Sequence, residues 1–228
     1  MWRRFLRMLL KISLWFLGLS VFSILLFRFV PIPVTPLMLI RCIEQKRAGE
    51  EMQLHQDWVS LEEISSVMPL AVIAAEDQKF EEHFGFDIGA IQKAEKYNEK
   101  HKGRRMKGAS TISQQTAKNV FLWPSRSWIR KGFEVYFTFL IETLWSKKRI
   151  MEVYLNVIET GNGIYGVQEA SMRYFKKPAI KLSIKEAARI AAILPNPRKW
   201  SPVNMTPRIS KKESRIVYFM GQLKTENF

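Results

Sequence analysis

Sixteen consecutive residues, Ile12 to Phe27, carry no charge, and the apolar character extends past Lys11 and Arg28 to Leu9, Leu10, Phe29 and Val30. Lysine and arginine at such edges can reach back to the interface, so the run approaches the ~20 residues that a bilayer-crossing helix needs. Pro31, Pro33 and Pro36 then read as a short stiff connector. Beyond it the pattern is helical. Ser60 and Glu63 have capping-box spacing, and Pro69 suits the first turn of a helix through Leu70–Glu76. Asp87 can cap a helix through Ile91 and Ala94, and Ser110 or Thr111 one that runs to Val120. Ser127–Trp145 is long and amphipathic, and Arg149–Ile158 follows it. Ser183 with Glu186 is a second capping box, before a helix that Leu194-Pro-Asn-Pro closes, and Pro207–Leu223 predicts a last helix. No run of alternating strand character and no internal repeat is visible. The predicted class is mostly α.

The flanks of the apolar run give its direction. Arg3, Arg4, Arg7 and Lys11 precede it, which holds the N-terminus in the cytoplasm and sends the rest across the membrane. A cleaved signal peptide has the same charge-then-apolar order, but Arg28-Phe-Val-Pro-Ile-Pro-Val stands where a small-x-small cleavage site would follow. The reading is therefore an uncleaved anchor: 1–30 as basic tip and membrane helix, 31–53 as connector, 54–228 as one folded domain. The 228 residues leave room for one catalytic domain and little more. Lys and Arg number 36 against 21 Asp and Glu; with the five basic residues of the first 30 set aside, the remaining 31 still exceed the acids by ten. Such an excess expects an anionic partner, and outside the cytoplasm that means lipid headgroups or lipid-linked phosphate rather than nucleic acid. The single cysteine, Cys42, excludes an intrachain disulfide and a multi-cysteine metal site. Seven basic residues between Lys93 and Lys107 read either as a solvated loop or as a mobile flap near anionic groups.

Four segments could carry chemistry. In Glu76-Asp77-x-x-Phe80-x-x-His83-x-Gly85, Glu76 closes an apolar helix, a place for a carboxylate that exchanges a proton, although an acidic pair at a helix end is more often a surface feature. In Gly108-x-Ser110-Thr111-Ile-x-Gln114-Gln115-x-x-Lys118-Asn119, glycine and hydroxyls at a helix start, followed by amides and a lysine, form a plausible phosphate cradle or an ordinary capped helix. In Arg126-x-x-x-Arg130-Lys131-x-x-Glu134, Arg130 and Glu134 share a helix face, at minimum as a plain ion pair. The three glycines at 161, 163 and 166, after Tyr154-Leu-Asn156, read as a structural turn. No strand precedes them in the way a dinucleotide-binding fingerprint requires.

Taken together, in this order and at this spacing, the segments resemble the peptidoglycan glycosyltransferases, in particular the monofunctional biosynthetic transglycosylases. The resemblance runs from about Leu54 to Pro202 and includes Lys147-x-x-Ile-x-Glu-x-Tyr154-Leu-Asn156 and Leu182-Ser-x-x-Glu-Ala-Ala188. Asn162 and Lys176 stand where that family frequently has Asp and Gly.

The resemblance implies a lysozyme-like helical fold that polymerises lipid II at the outer surface of the bacterial inner membrane, with the catalytic domain in the periplasm. It implies Glu76 as the general base for the acceptor GlcNAc 4-hydroxyl and Glu134 as the second essential carboxylate. Lys118, Arg126, Arg130 and Lys131, with Ser110, Thr111 and Gln115, would surround the diphosphate, Gln114 would join the substrate-binding residues, and Asp77, Phe80 and His83 would support Glu76. It implies no covalent cofactor, a divalent cation (Mg2+ or Mn2+) at the diphosphate, and cell-wall synthesis or division proteins as partners. The residues agree with the chemistry: a diphosphate leaves without a proton donor but needs cations, whereas cutting a sugar–sugar bond needs a general acid. Two other readings remain at this point, a lysozyme-like lytic enzyme and a non-catalytic membrane scaffold that binds precursors. No Ser-x-x-Lys or Lys-Thr-Gly occurs and 26 residues follow Pro202, so transpeptidase activity is not expected.

Overall fold

The computed structural model describes residues 2–101, 106–125, 127–223 and 228. The charge-free run lies in helix α1 (Trp2–Phe27), which is long and apolar enough to cross a membrane, with a mean hydropathy of 2.1 over its best 18-residue window. Most of α1 is exposed, and its buried residues are Ser20 and Ile24. Hydrogen bonds tie its second half to the rest of the chain. Ser20 Oγ lies 2.7 Å from the Tyr136 hydroxyl, Trp145 Nε1 donates to the Ile24 carbonyl at 2.8 Å, and Arg149 Nη2 donates to the carbonyls of Phe27 and Val30 at 2.8 and 2.7 Å. Arg149 thus serves the Phe27 carbonyl at the open C-terminal end of α1, whereas Trp145 adds a second donor to the Ile24 carbonyl, which also accepts from Arg28 N at 3.0 Å.

The segment expected to be a connector contains a helix, α2 (Pro36–Arg47). Thr35 caps it by accepting from Met38 N, and Pro36 occupies its first turn, where a missing N–H costs nothing. The three prolines masked this start signal in the sequence. The Ser60–Glu63 capping box forms as well, with Glu63 Oε2 accepting from Ser60 N at 2.9 Å, but it closes a single 3-10 turn at Leu61–Glu63. The apolar helix that follows, α3 (Val67–Glu76), starts independently and buries Met68, Pro69, Ala71, Val72, Ile73 and Ala74.

Helix α4 (Ile88–Lys100) is capped by Asp87, as its sequence predicts, and buries no residue. Lys93, Lys96 and Lys100 of the basic stretch belong to this helix; Lys102, Arg104 and Arg105 lie outside the described residues. Next come α5 (Ile112–Phe121), α6 (Trp128–Leu144) and α7 (Lys147–Val157), with N-caps Thr111, Ser127 and Ser146. After the glycine-rich segment follow α8 (Val167–Phe175), α9 (Ile184–Ile193) and α10 (Pro207–Met220). Helix α5 packs on α6 and α7, whereas α9 packs between α3 and α10. Alanines at 187, 188, 191 and 192 let α9 approach both neighbours closely.

A small sheet was not expected. Strands β1 (His55–Gln56) and β2 (Glu159–Gly161) flank β3 (Ile164–Tyr165), parallel on the β1 side and antiparallel, with a bulge, on the β2 side. Two- and three-residue strands are too short to show alternation, so periodicity could not reveal them. The glycines explain the hairpin. Gly163 has φ +69° and a Cβ there would meet the Gln53 carbonyl at 2.6 Å; Gly166 has φ +78° and would meet the Asn156 carbonyl at 2.8 Å. Fully buried Asn156 accepts from Val59 N at 3.0 Å and donates to Val59 O at 2.9 Å, locking this region to α7.

Candidate active site

Glu76 is the last residue of α3, so the apolar burial of that helix sets where its carboxylate emerges. The next residue, Asp77, turns inward. Its two carboxylate oxygens lie 2.9 and 3.0 Å from His83 Nε2, and Oδ2 also accepts from Ile112 N at 3.0 Å. Asp77 therefore fastens the start of α5 directly beside Glu76, and a carboxylate at a helix N-terminus is electrostatically favoured. Thr111 Oγ1 donates to the Gly85 carbonyl at 2.6 Å and closes the same turn from the other side.

From that fixed start, α5 presents two side chains one turn apart. Gln115 Nε2 donates to Glu76 Oε2 at 2.9 Å, and Gln115 Oε1 accepts from the Tyr154 hydroxyl at 3.3 Å. Tyr154 is fully buried; burial and the charges of Glu76 and Asp77 hold its pKa well above the ordinary phenol value. Lys118 follows, half-buried. Burial lowers its pKa; attraction to Glu134 and Glu76 opposes this, and the neighbouring charges of Arg130 and Lys131 add to it. The carboxylate of Glu134 is 3% exposed and is held by both cations, Arg130 Nη1 at 2.8 Å and Lys131 Nζ at 2.5 Å. Three cations thus surround one carboxylate, leaving a local positive excess for an anion.

A cleft of about 520 Å3 opens here, lined on this side by Gln115, Lys118, Asn119, Trp123 and Arg130. Glu76 is tied to its wall by the hydrogen bond from Gln115, which lines the cleft beside Lys118 and Arg130. A carboxylate and cations so placed can take up a proton and stabilise a departing anion.

The other expected residues divide into two groups. Ser110 is exposed just before α5. Thr111 and Gln114, both expected among the substrate-binding residues, are 2% and 4% exposed. Their polar atoms close the α5 capping box, with Gln114 Oε1 accepting from Thr111 N at 3.0 Å, so they position the helix. Phe80 is fully buried, with the Lys147 ammonium 4.6 Å and the His83 ring centroid 6.4 Å from its ring centroid. Arg126 lies outside the described residues.

Sequence reasoning missed two neighbours. Tyr154 belonged to a segment read as structural. Lys212, on α10, lies near Glu76 with its ammonium over the Trp200 ring at 4.7 Å; burial lowers its pKa, and attraction to Glu76 opposes this. Nothing in the local sequence links Lys212 to Glu76, since only the packing of α10 on α3 brings them together.

Among the described residues no three His, Cys, Asp or Glu side chains converge, and both Glu134 oxygens are already bound by cations. These residues do not fit a protein-held metal.

Residues 44–221 match the family model described as Transglycosylase. A protein of Bdellovibrio bacteriovorus named biosynthetic peptidoglycan transglycosylase is 56% identical over 216 residues, covering 95% of this chain and 86% of that protein. Proteins of the same name from Bacteroides thetaiotaomicron and Caulobacter vibrioides are 50% and 49% identical, covering 96% and 98% of this chain and 88% and 95% of theirs.

Proposed function

The chain belongs to the transglycosylase family, and from that premise we propose that it is a peptidoglycan glycosyltransferase that elongates a lipid-linked glycan with lipid II. Glu76 takes the proton of the acceptor GlcNAc 4-hydroxyl as that oxygen attacks C1 of the donor MurNAc. The bond from C1 to the phosphate oxygen breaks, its electron pair leaves with undecaprenyl diphosphate, and a β-1,4 link forms with inversion. Lys118, Arg130 and Lys131 take up the charge of the departing diphosphate, the role that fixed cations fill best in a desolvated groove. Glu134 holds Arg130 and Lys131 in place, and Gln115 orients Glu76.

The single observation that carries this reading is the juxtaposition of one proton-accepting acid with three cations through Gln115 and Lys118 on one helix. A lytic enzyme needs a proton donor for its leaving group and has no use for the nest. The membrane side agrees as well. Helix α1 anchors the chain with its basic end in the cytoplasm and the domain on the outer face. Trp123 on the cleft wall and Trp128 and Ile129 at the start of α6 are exposed, as suits a surface resting on lipid. The test is incubation of the purified full chain with labelled lipid II. High-molecular-weight glycan is expected; release of soluble saccharide supports the lytic reading, and inert protein the scaffold.

A further inference from the structure

The side-chain amide of Gln115 has two unlike ends, and the end that meets Glu76 decides what the contact does. An ionised carboxylate only accepts hydrogen bonds, so the amide nitrogen has to face it, as it does at 2.9 Å. Turned over, the amide would set its own oxygen against the carboxylate, a contact that favours a protonated acid and works against a base. Gln115 is half-buried and lines the open cleft, so packing alone does not choose between the two directions.

The choice is made from α7. The Tyr154 hydroxyl donates to Gln115 Oε1 at 3.3 Å, so both hydrogens of the chain, O–H and then N–H, point toward Glu76. Bonds aligned in this way polarise and strengthen one another. Tyr154 itself is fixed. Its ring is fully buried, and two residues further on Asn156 exchanges hydrogen bonds with both backbone groups of Val59. Its hydroxyl also keeps its hydrogen, because burial and the charges of Glu76 and Asp77 hold the phenol well above its ordinary pKa. The hydroxyl therefore remains a donor wherever Glu76 is a carboxylate.

We propose that Tyr154 is a positioning residue for the transfer, fixing the direction of the Gln115 amide so that Glu76 always meets an N–H and stands ready to accept a proton. Tyr154 acts through Gln115 and takes no proton itself. The proposal rests on the reading of Glu76 as the general base of a glycan polymerase. The contrary account is that a buried tyrosine merely needs a partner for its hydroxyl, in which case Gln115 serves Tyr154 and the direction of the amide is incidental.

A double-mutant cycle separates the two. Wild type, Tyr154→Phe, Gln115→Ala and the double variant are prepared as full chains in detergent, and kcat, KM and thermal unfolding are measured with labelled lipid II. Tyr154→Phe keeps the ring and is expected to lower kcat by about threefold to tenfold, the loss of one neutral hydrogen bond, with KM little changed. In the Gln115→Ala background the same substitution is expected to change kcat by less than about twofold, because the amide that it directs is gone. Equal losses in both backgrounds, or full activity of Tyr154→Phe, overturn the proposal. Where Tyr154→Phe does not fold, para-aminophenylalanine at position 154 decides, since it restores a donor on the same ring. Activity near that of the wild type is expected, and its loss in that folded protein overturns the proposal. A wild type that forms no glycan overturns the polymerase reading itself, an outcome distinct from a failed cycle.

Discussion

The side-chain amide of Gln115 donates to the carboxylate of Glu76 at 2.9 Å, joining residues 39 positions apart. One turn further along the same helix stands Lys118, so in the proposed mechanism a single helix carries both the hydrogen bond that aims the acid and a cation for the leaving group. Gln115→Ala removes the aim and leaves the acid. It is expected to lower kcat by about tenfold or more with little change in KM, since a hydrogen bond to a charged group contributes about 1.5–3 kcal/mol. Steady-state kinetics on lipid II checks the split.

Lys118→Ala is expected to reduce kcat by about a hundredfold or more, the scale on which a fixed group stabilising developing charge contributes. Lys118→Arg should recover part of the loss because it restores the charge. Recovery equal to that from a neutral residue would separate Lys118 from the diphosphate.

The pH profile follows from the same residue. Its pKa lies below the ordinary lysine value because burial disfavours the charged form. As pH rises, the ammonium therefore loses its proton earlier than an exposed lysine would, and activity should fall on the alkaline side below about pH 10.5. Lys118→Arg, whose side chain stays charged, should move that limb to higher pH. The measurement is kcat against pH for both proteins.

Asp77→Asn tests the scaffold. The carboxylate serves His83 and the backbone of Ile112 together and is buried. Its loss is expected to lower stability by about 1–3 kcal/mol. Activity should fall as well, because the start of α5 shifts against Glu76. Thermal unfolding together with kcat measures both effects; activity loss with full stability would assign Asp77 a direct part in the chemistry.

Much of this architecture is written locally. Ser127 and Trp145 bracket α6 as caps, Asp87 caps α4, and Ser183 with Glu186 closes the box before α9, because capping depends on residues three or four apart. The elements that were not legible depend on distant partners. Strand β3 exists because Gln56 and Glu159 lie on either side of it, and Lys212 joins the site only when α10 packs on α3. The site divides in the same way. Arg130 and Glu134 announce their pairing by spacing, and Thr111 with Gln114 has the spacing of the capping box it forms, but spacing could not show that Gln115 reaches Glu76.

The most direct test of the central claim is to count, in one reaction, the β-1,4 bonds formed and the undecaprenyl diphosphate released by the full chain acting on lipid II. One diphosphate per bond, with no soluble saccharide, is expected, and both products should disappear with Glu76→Gln. Polymer formed at an unchanged rate by Glu76→Gln, or saccharide released without diphosphate, would contradict it.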